Sequence, residues 1–158
     1  MFTEDGHWSP ESAAALTDLT LKALMAEHEG NGNDFARAMG EVGGRFGHPG
    51  IFAVCHAICG IVKKAITNDA PGFASIMVPD GTTPEALPEE MQPDVWAIRF
   101  LVGRLNDDDD HMLALWSAQQ QDPQHVVKNV VALFQHIVAL LRAVEEVEAT
   151  PWPLTWPN

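Results

Sequence analysis

Thiolate and imidazole are the donors that zinc prefers. His48, Cys55, His56 and Cys59 bring both types into one short stretch of this chain. Cys55 and Cys59 stand four residues apart, so on a helix they share a face, and His48 lies where that helix would begin. The set is a candidate zinc site, but its spacing is wrong for a common structural one. Those sites place two cysteines about two to four residues apart and add a second, distant pair. A cysteine nucleophile activated by His48 or His56 is the other chemistry open to these residues. Reactive thiols need a polar, electropositive and partly exposed setting. The surrounding IFAVCHAICGIV offers the reverse. The favoured reading is that both cysteines are buried as small apolar groups.

Three further groups carry charge or unusual backbone. GEVGGRFGHPG, with Arg45 and His48, could cradle an anion at a helix start. It lacks the Gly-Lys-Ser/Thr of a P-loop, and no strand precedes it as a dinucleotide fingerprint requires. A tight helix–helix corner is the simpler use of its glycines. Asp107–Asp110 followed by His111 suggests a cation site. The calcium-loop glycine and terminal glutamate are missing, and Asp108 with His111 has no second copy to complete a di-metal bundle. An acidic helix cap accounts for the run. The tail TPWPLTWPN holds Trp152 and Trp156 between prolines. It is stiff and aromatic, suited to docking on its own domain or on another molecule. His136 is expected to face solvent.

Helices must position these residues. Ser9-Pro10 opens the first, with Leu16, Leu19, Leu21, Leu24 and Met25 as its stripe and Gly30 as its stop. Asn33 is read as the cap of a short second helix ending at Gly43-Gly44. Pro49 opens a central apolar helix over about 50–67, apolar on nearly every side and so expected to run through the middle of the domain. Residues 69–93 carry five prolines and read as an irregular loop, with Phe73–Val78 as a strand or a helical turn. Pro93-Asp94 opens the next helix, buried through Val95, Trp96, Ile98, Leu101, Val102 and Leu105. Asn106 or Asp107 is read as the cap of another, buried through Met112, Leu115 and Trp116. Asp122-Pro123 starts the last and longest, with Val127, Val130, Phe134, Ile137, Leu141 and Val144 inward. The fold class is all-α. One helical domain spans 1–150 as a bundle of five to six helices, and 151–158 is a Pro/Trp-rich tail.

The chain has 158 residues, 46% of them apolar, enough for one core without metal or disulfide support. Net charge is −13, from 22 acids against 9 bases. That excludes a cationic nucleic-acid footprint and disfavours anionic membranes. The N-terminus MFTEDGHW has no leader pattern, and the apolar run is broken by Lys63 and Lys64 before it could span a bilayer. The expectation is a cytoplasmic protein without cofactor, and zinc is the alternative. Alanine-rich, lysine-poor composition suggests a GC-rich bacterial or phage source. No catalytic constellation has convincing spacing, so an enzyme is not the favoured reading. An interaction or regulatory module fits better, capable of self-association as a homodimer and aimed at a basic or amphipathic protein. Trp152, Trp156, Pro84 and Pro88 are its candidate contacts. Two alternatives are kept. One is a metal or small-ligand site at His48, Cys55, His56 and Cys59. The other is an acidic mimic of nucleic acid using Glu4, Asp5, Glu27, Glu29 and Asp107–Asp110.

Overall fold

The computed structural model describes residues 7–65 and 91–149, with side chains described to residue 143. Pro84, Pro88, Trp152 and Trp156 lie outside the described residues, as do Glu4, Asp5 and the stretch Phe73–Val78.

Five helices make up the described chain, and no strand occurs among the described residues. Helix α1 runs Pro10–His28, α2 Gly32–Ala65, α3 Gln92–Leu105, α4 Asp109–Gln119 and α5 Pro123–Ala149. The described residues form an all-helical domain, as the periodicity predicts. The Ser9 hydroxyl accepts the amide of Ser12 at 3.2 Å and starts α1. Gly30, at φ 72°, turns the chain after it.

The start and end of the second helix differ from the sequence reading. Asn31, not Asn33, is the cap: its Oδ1 accepts the Asp34 amide at 3.1 Å, and its Nδ2 donates to the Asp34 carboxylate at 2.7 Å. Gly43 and Gly44 do not end the helix. The chain stays helical through them and breaks at Gly47, at φ 64° and ψ −160°, which only glycine adopts freely. The expected corner therefore exists, but at one glycine. Pro49 sits just beyond it, in the first turn of the second arm of α2, where its missing N–H costs nothing.

That second arm is less enclosed than its composition implies. Val54, Cys55, Ile58, Cys59 and Val62 are buried, whereas Ile51, Phe52, Ala53 and Ile61 are half-buried and Ala57 is exposed. The core lies between its inner face and α5: Leu133, Phe134 and Ile137 have no exposed surface, nor has Phe100 from α3. Phe134 meets Phe35 edge to face, with ring centroids 4.9 Å apart. On α1 the buried face is Leu16, Leu19, Ala23 and Ala26, so Leu21 and Met25 turn outward. On α5 the stripe starts at Val126 and leaves Val127 exposed. Leu16 and Leu19 on α1 and Val130, Phe134 and Ile137 on α5 are buried as expected, while Leu21, Met25 and Val127 fall outside the buried face.

Two helices, Gly32–Ala65 and Pro123–Ala143, are long and apolar enough to cross a membrane, at mean hydropathy 1.3 and 1.5. Core helices of a bundle have the same character, and the Gly47 break interrupts the first of them.

Candidate binding groove

Four residues meet at one open groove. Phe52 and His56 are one turn apart on α2, and Trp116 and Asp109 come from α4. Trp8, just ahead of α1, forms the far wall with Pro49. The groove has a volume of ≈ 630 Å³. Its floor is aromatic: the Phe52 ring meets Trp116 edge-on with centroids 5.5 Å apart, and Phe100 edge-on at 5.9 Å. Trp8 is held from behind by Phe46, also edge-on, at 5.7 Å. Edge-to-face contacts of this kind favour the observed ring placements.

Its rim is polar. His56 Nε2 lies 3.4 Å from Asp109 Oδ1, joining α2 to α4 across the groove mouth. Asp109 is mostly exposed and belongs to the first turn of α4, where a carboxylate also complements the helix dipole. The cap of that helix is Asp108, whose carboxylate accepts the His111 amide at 3.0 Å, so neither Asn106 nor Asp107 serves. Beside Asp109, Leu113 keeps half of its surface in solvent. An apolar, ring-lined trough with a carboxylate at its lip and an exposed leucine beside it can hold the apolar face of an amphipathic ligand and pair with a cation on its edge.

The structure separates the four metal-ligand candidates. Cys55 and Cys59 are fully buried. Burial pushes both thiols up, for Cys59 with the Cys55 neighbour adding and the Arg104 guanidinium opposing. Protonated thiols are poor ligands and poor nucleophiles. His56 turns the other way, to Asp109, and His48 is exposed. Among the described residues no three His, Cys, Asp or Glu side chains gather into a metal-holding group. His136 does not simply face water: its Nε2 lies 2.8 Å from the Asp94 carboxylate on α3.

The acidic turn is likewise not a bare row of charge. Asp107 pairs with Lys63 and Arg104, and Asp109 with His56. The groove itself was not foreseen. Its one signal in the sequence is the four-residue spacing of Phe52 and His56, an aromatic and a polar group on one helix face. Trp8 and Asp109 come from distant segments and carry no such mark. Comparison of the chain with family models, with curated proteins and with solved structures finds no match in any of the three.

Proposed function

We propose that this chain is an acidic helical interaction module that seats a cationic, amphipathic helix of a protein partner in the Trp8–Phe52–Trp116 groove. The observation that carries this reading is the pairing of a rigid aromatic floor with a carboxylate rim in one open trough. Grooves of this kind take the apolar face of a helix through residues spaced one turn apart. The net charge of −13 adds steering toward a basic partner and rejects acidic ones. The tail Trp152 and Trp156 and the loop prolines Pro84 and Pro88 are proposed as additional contacts. Twofold self-association is a second reading. A groove of ≈ 390 Å³ between α1 and α2 carries the exposed Met25 among Lys22, Arg37, Glu29 and Glu41, a mixed-sign surface that a second copy could match.

The test is a titration with a designed Leu/Lys helical peptide, followed by tryptophan fluorescence. Saturable binding that weakens with salt is expected, with no binding of the matching Leu/Glu peptide. Leu113→Asp, at an exposed position, should abolish binding without changing the melting curve, and Asp109→Asn should weaken it severalfold. Equal affinity for the Lys and Glu peptides, or an unaffected Leu113→Asp variant, would sink the reading. Truncation after Thr150 measures what the tail adds. Sedimentation across a concentration range decides the dimer.

A further inference from the structure

The lining of the aromatic trough narrows the kind of cation it can hold. Trp8, Pro49, Phe52, Ala53, Leu113 and Trp116 give it ring and aliphatic surface. Asp109 is its one carboxylate, and no lysine or arginine lines it among the described residues. Phe52 and His56, one turn apart on α2, set their rings 6.0 Å apart at an inclination of 34° and form one side. Trp8 stands on the far side, and Trp116, 4% exposed, closes the floor. Aromatic faces are negative and attract cations. One such contact exists already in this group of rings: the Arg45 guanidinium carbon lies 5.0 Å from the centroid of Phe46, the ring that backs Trp8.

A plain ammonium suits the lip of this trough and not its inside. Its charge is compact and strongly hydrated, and its three N–H donors need acceptors. Side-chain acceptors in the lining are few: the Asp109 carboxylate, the Gln120 amide, and the His56 ring, whose Nε2 already faces Asp109 at 3.4 Å. A donor taken out of water without an acceptor is costly. A trimethylammonium carries the same charge with no donor at all, and it meets the rings with methyl groups. Asp109 keeps 71% of its side-chain surface exposed, so its carboxylate stays open to a cation beside His56.

We infer that the trough selects a trimethylated lysine on the partner helix. The quaternary nitrogen lies among Trp8, Phe52 and Trp116, and Asp109 supplies the counter-charge at the lip. The ≈ 630 Å³ volume, within the range of small-ligand sites, takes the head group together with the stem that carries it. This rests on the reading of the trough as the seat of a cationic helix, and it names the cation that seat prefers.

The head group is tested alone first. Choline is titrated into the ¹⁵N-labelled full chain while the Trp8 and Trp116 indole N–H signals are followed. Saturable shifts of both are expected, and none with 3,3-dimethyl-1-butanol, the uncharged carbon isostere of choline. The second arm compares the Leu/Lys peptide with a copy trimethylated at one lysine on the border of its leucine face. Trimethylation should tighten binding by about fivefold or more, in keeping with a cation–π contact. A copy bearing the tert-butyl carbon analogue should lose that gain. Trp8→Leu and Asp109→Asn should each remove most of it, read as the ratio of the two peptide affinities within one variant. Lack of saturation by choline, or equal shifts with its isostere, would overturn the inference while leaving the Leu/Lys peptide test to stand or fall by itself. Choline binding without any gain from peptide trimethylation would overturn it too, by assigning the trough to a free small cation. So would a gain that survives both Trp8→Leu and Asp109→Asn.

Discussion

Asp107 reaches from the α3–α4 turn to the ammonium of Lys63 on α2, and its same Oδ1 takes Arg104 Nη1 at 3.1 Å. It does so from a left-handed backbone, φ 56°, the one such non-glycine residue among those described. Aspartate tolerates that region because its short polar side chain bonds locally. One residue thus closes the turn and ties it to α2, and the turn sets where α4, and with it Asp109, begins. Asp107→Asn keeps the backbone tolerance and loses the charge. Asp107→Ala loses both. The expected order of melting temperature is wild type, then Asn, then Ala, and equal values for Asn and Ala would remove the backbone part of this account. The pH dependence has a definite sign. Hydrogen bonding and charge from Lys63, with a smaller share from Arg104, hold this carboxyl below the usual carboxylate range. The pairing therefore stabilises the fold fully above that range and is lost as pH falls through the lowered folded value. An acid melt of Asp107→Asn should lack that component.

The Gly47 break brings Phe46 back over Gly50. A Cβ placed on Gly50 would lie 2.3 Å from the Phe46 Cβ, closer than two carbons can pack. Gly50→Ala should destabilise by about 1–3 kcal/mol, the usual cost of overpacking. Gly47→Ala should cost a similar ~1–3 kcal/mol through backbone strain alone. Gly40 and Gly44 are helical with nothing within 4 Å of a Cβ. Replacing either by alanine should stabilise by roughly 0.5–1 kcal/mol, because the unfolded chain loses freedom. Chemical denaturation of the four variants separates these outcomes. A stabilised Gly50→Ala would mean that the corner is not built as described.

These glycines show what the sequence could and could not announce. The run GEVGGRFGHPG marks a corner, but five glycines do not say which one turns. That is decided by where Val42 and Val54 both reach the core, a tertiary condition. The helices themselves were legible because apolar spacing, Ser9 and Pro10, Gly30 and Asp122 all agree locally. Asp122, for example, accepts the Gln124 amide at 2.9 Å as expected of a cap. Val127 misled because it stands beside Val126, and adjacent valines cannot be ranked by period alone. The aromatic groove was not legible, because it depends on Trp8, α2 and α4 meeting, and no local spacing encodes that meeting.

Phe134 has no exposed surface and packs on the Phe35 ring from the first arm of α2. Phe134→Ala should cost about 3–5 kcal/mol, the range for a buried phenylalanine. Domains of this size are stable by only ~5–15 kcal/mol, so the variant should be marginal at physiological temperature. Phe35→Leu should cost much less, since most of the volume remains. A cost below about 1 kcal/mol for Phe134→Ala would place the core elsewhere.

Cys55 and Cys59 give the last expectation. Both thiols are buried, and burial raises each above the ordinary thiol value. Below that value folded and unfolded chains are both protonated, and the thiols favour the fold simply by packing. Above it the unfolded chain ionises and the folded chain does not. Stability tied to these groups is therefore lost as pH climbs from the ordinary thiol value toward the raised folded one. The denaturation midpoint should fall between neutral pH and about pH 10, a range that spans thiol titration. The Cys55→Ala/Cys59→Ala double variant should fall less over the same range. Tyrosine cannot confuse the comparison, because the chain contains none, and lysine titration is common to both proteins. A disulfide-exchange reagent should leave the native protein unlabelled at either pH and react with two thiols once denaturant is added. Rapid labelling of the native protein would instead put the sulfurs in contact with solvent and revive the zinc and nucleophile readings that their burial now opposes.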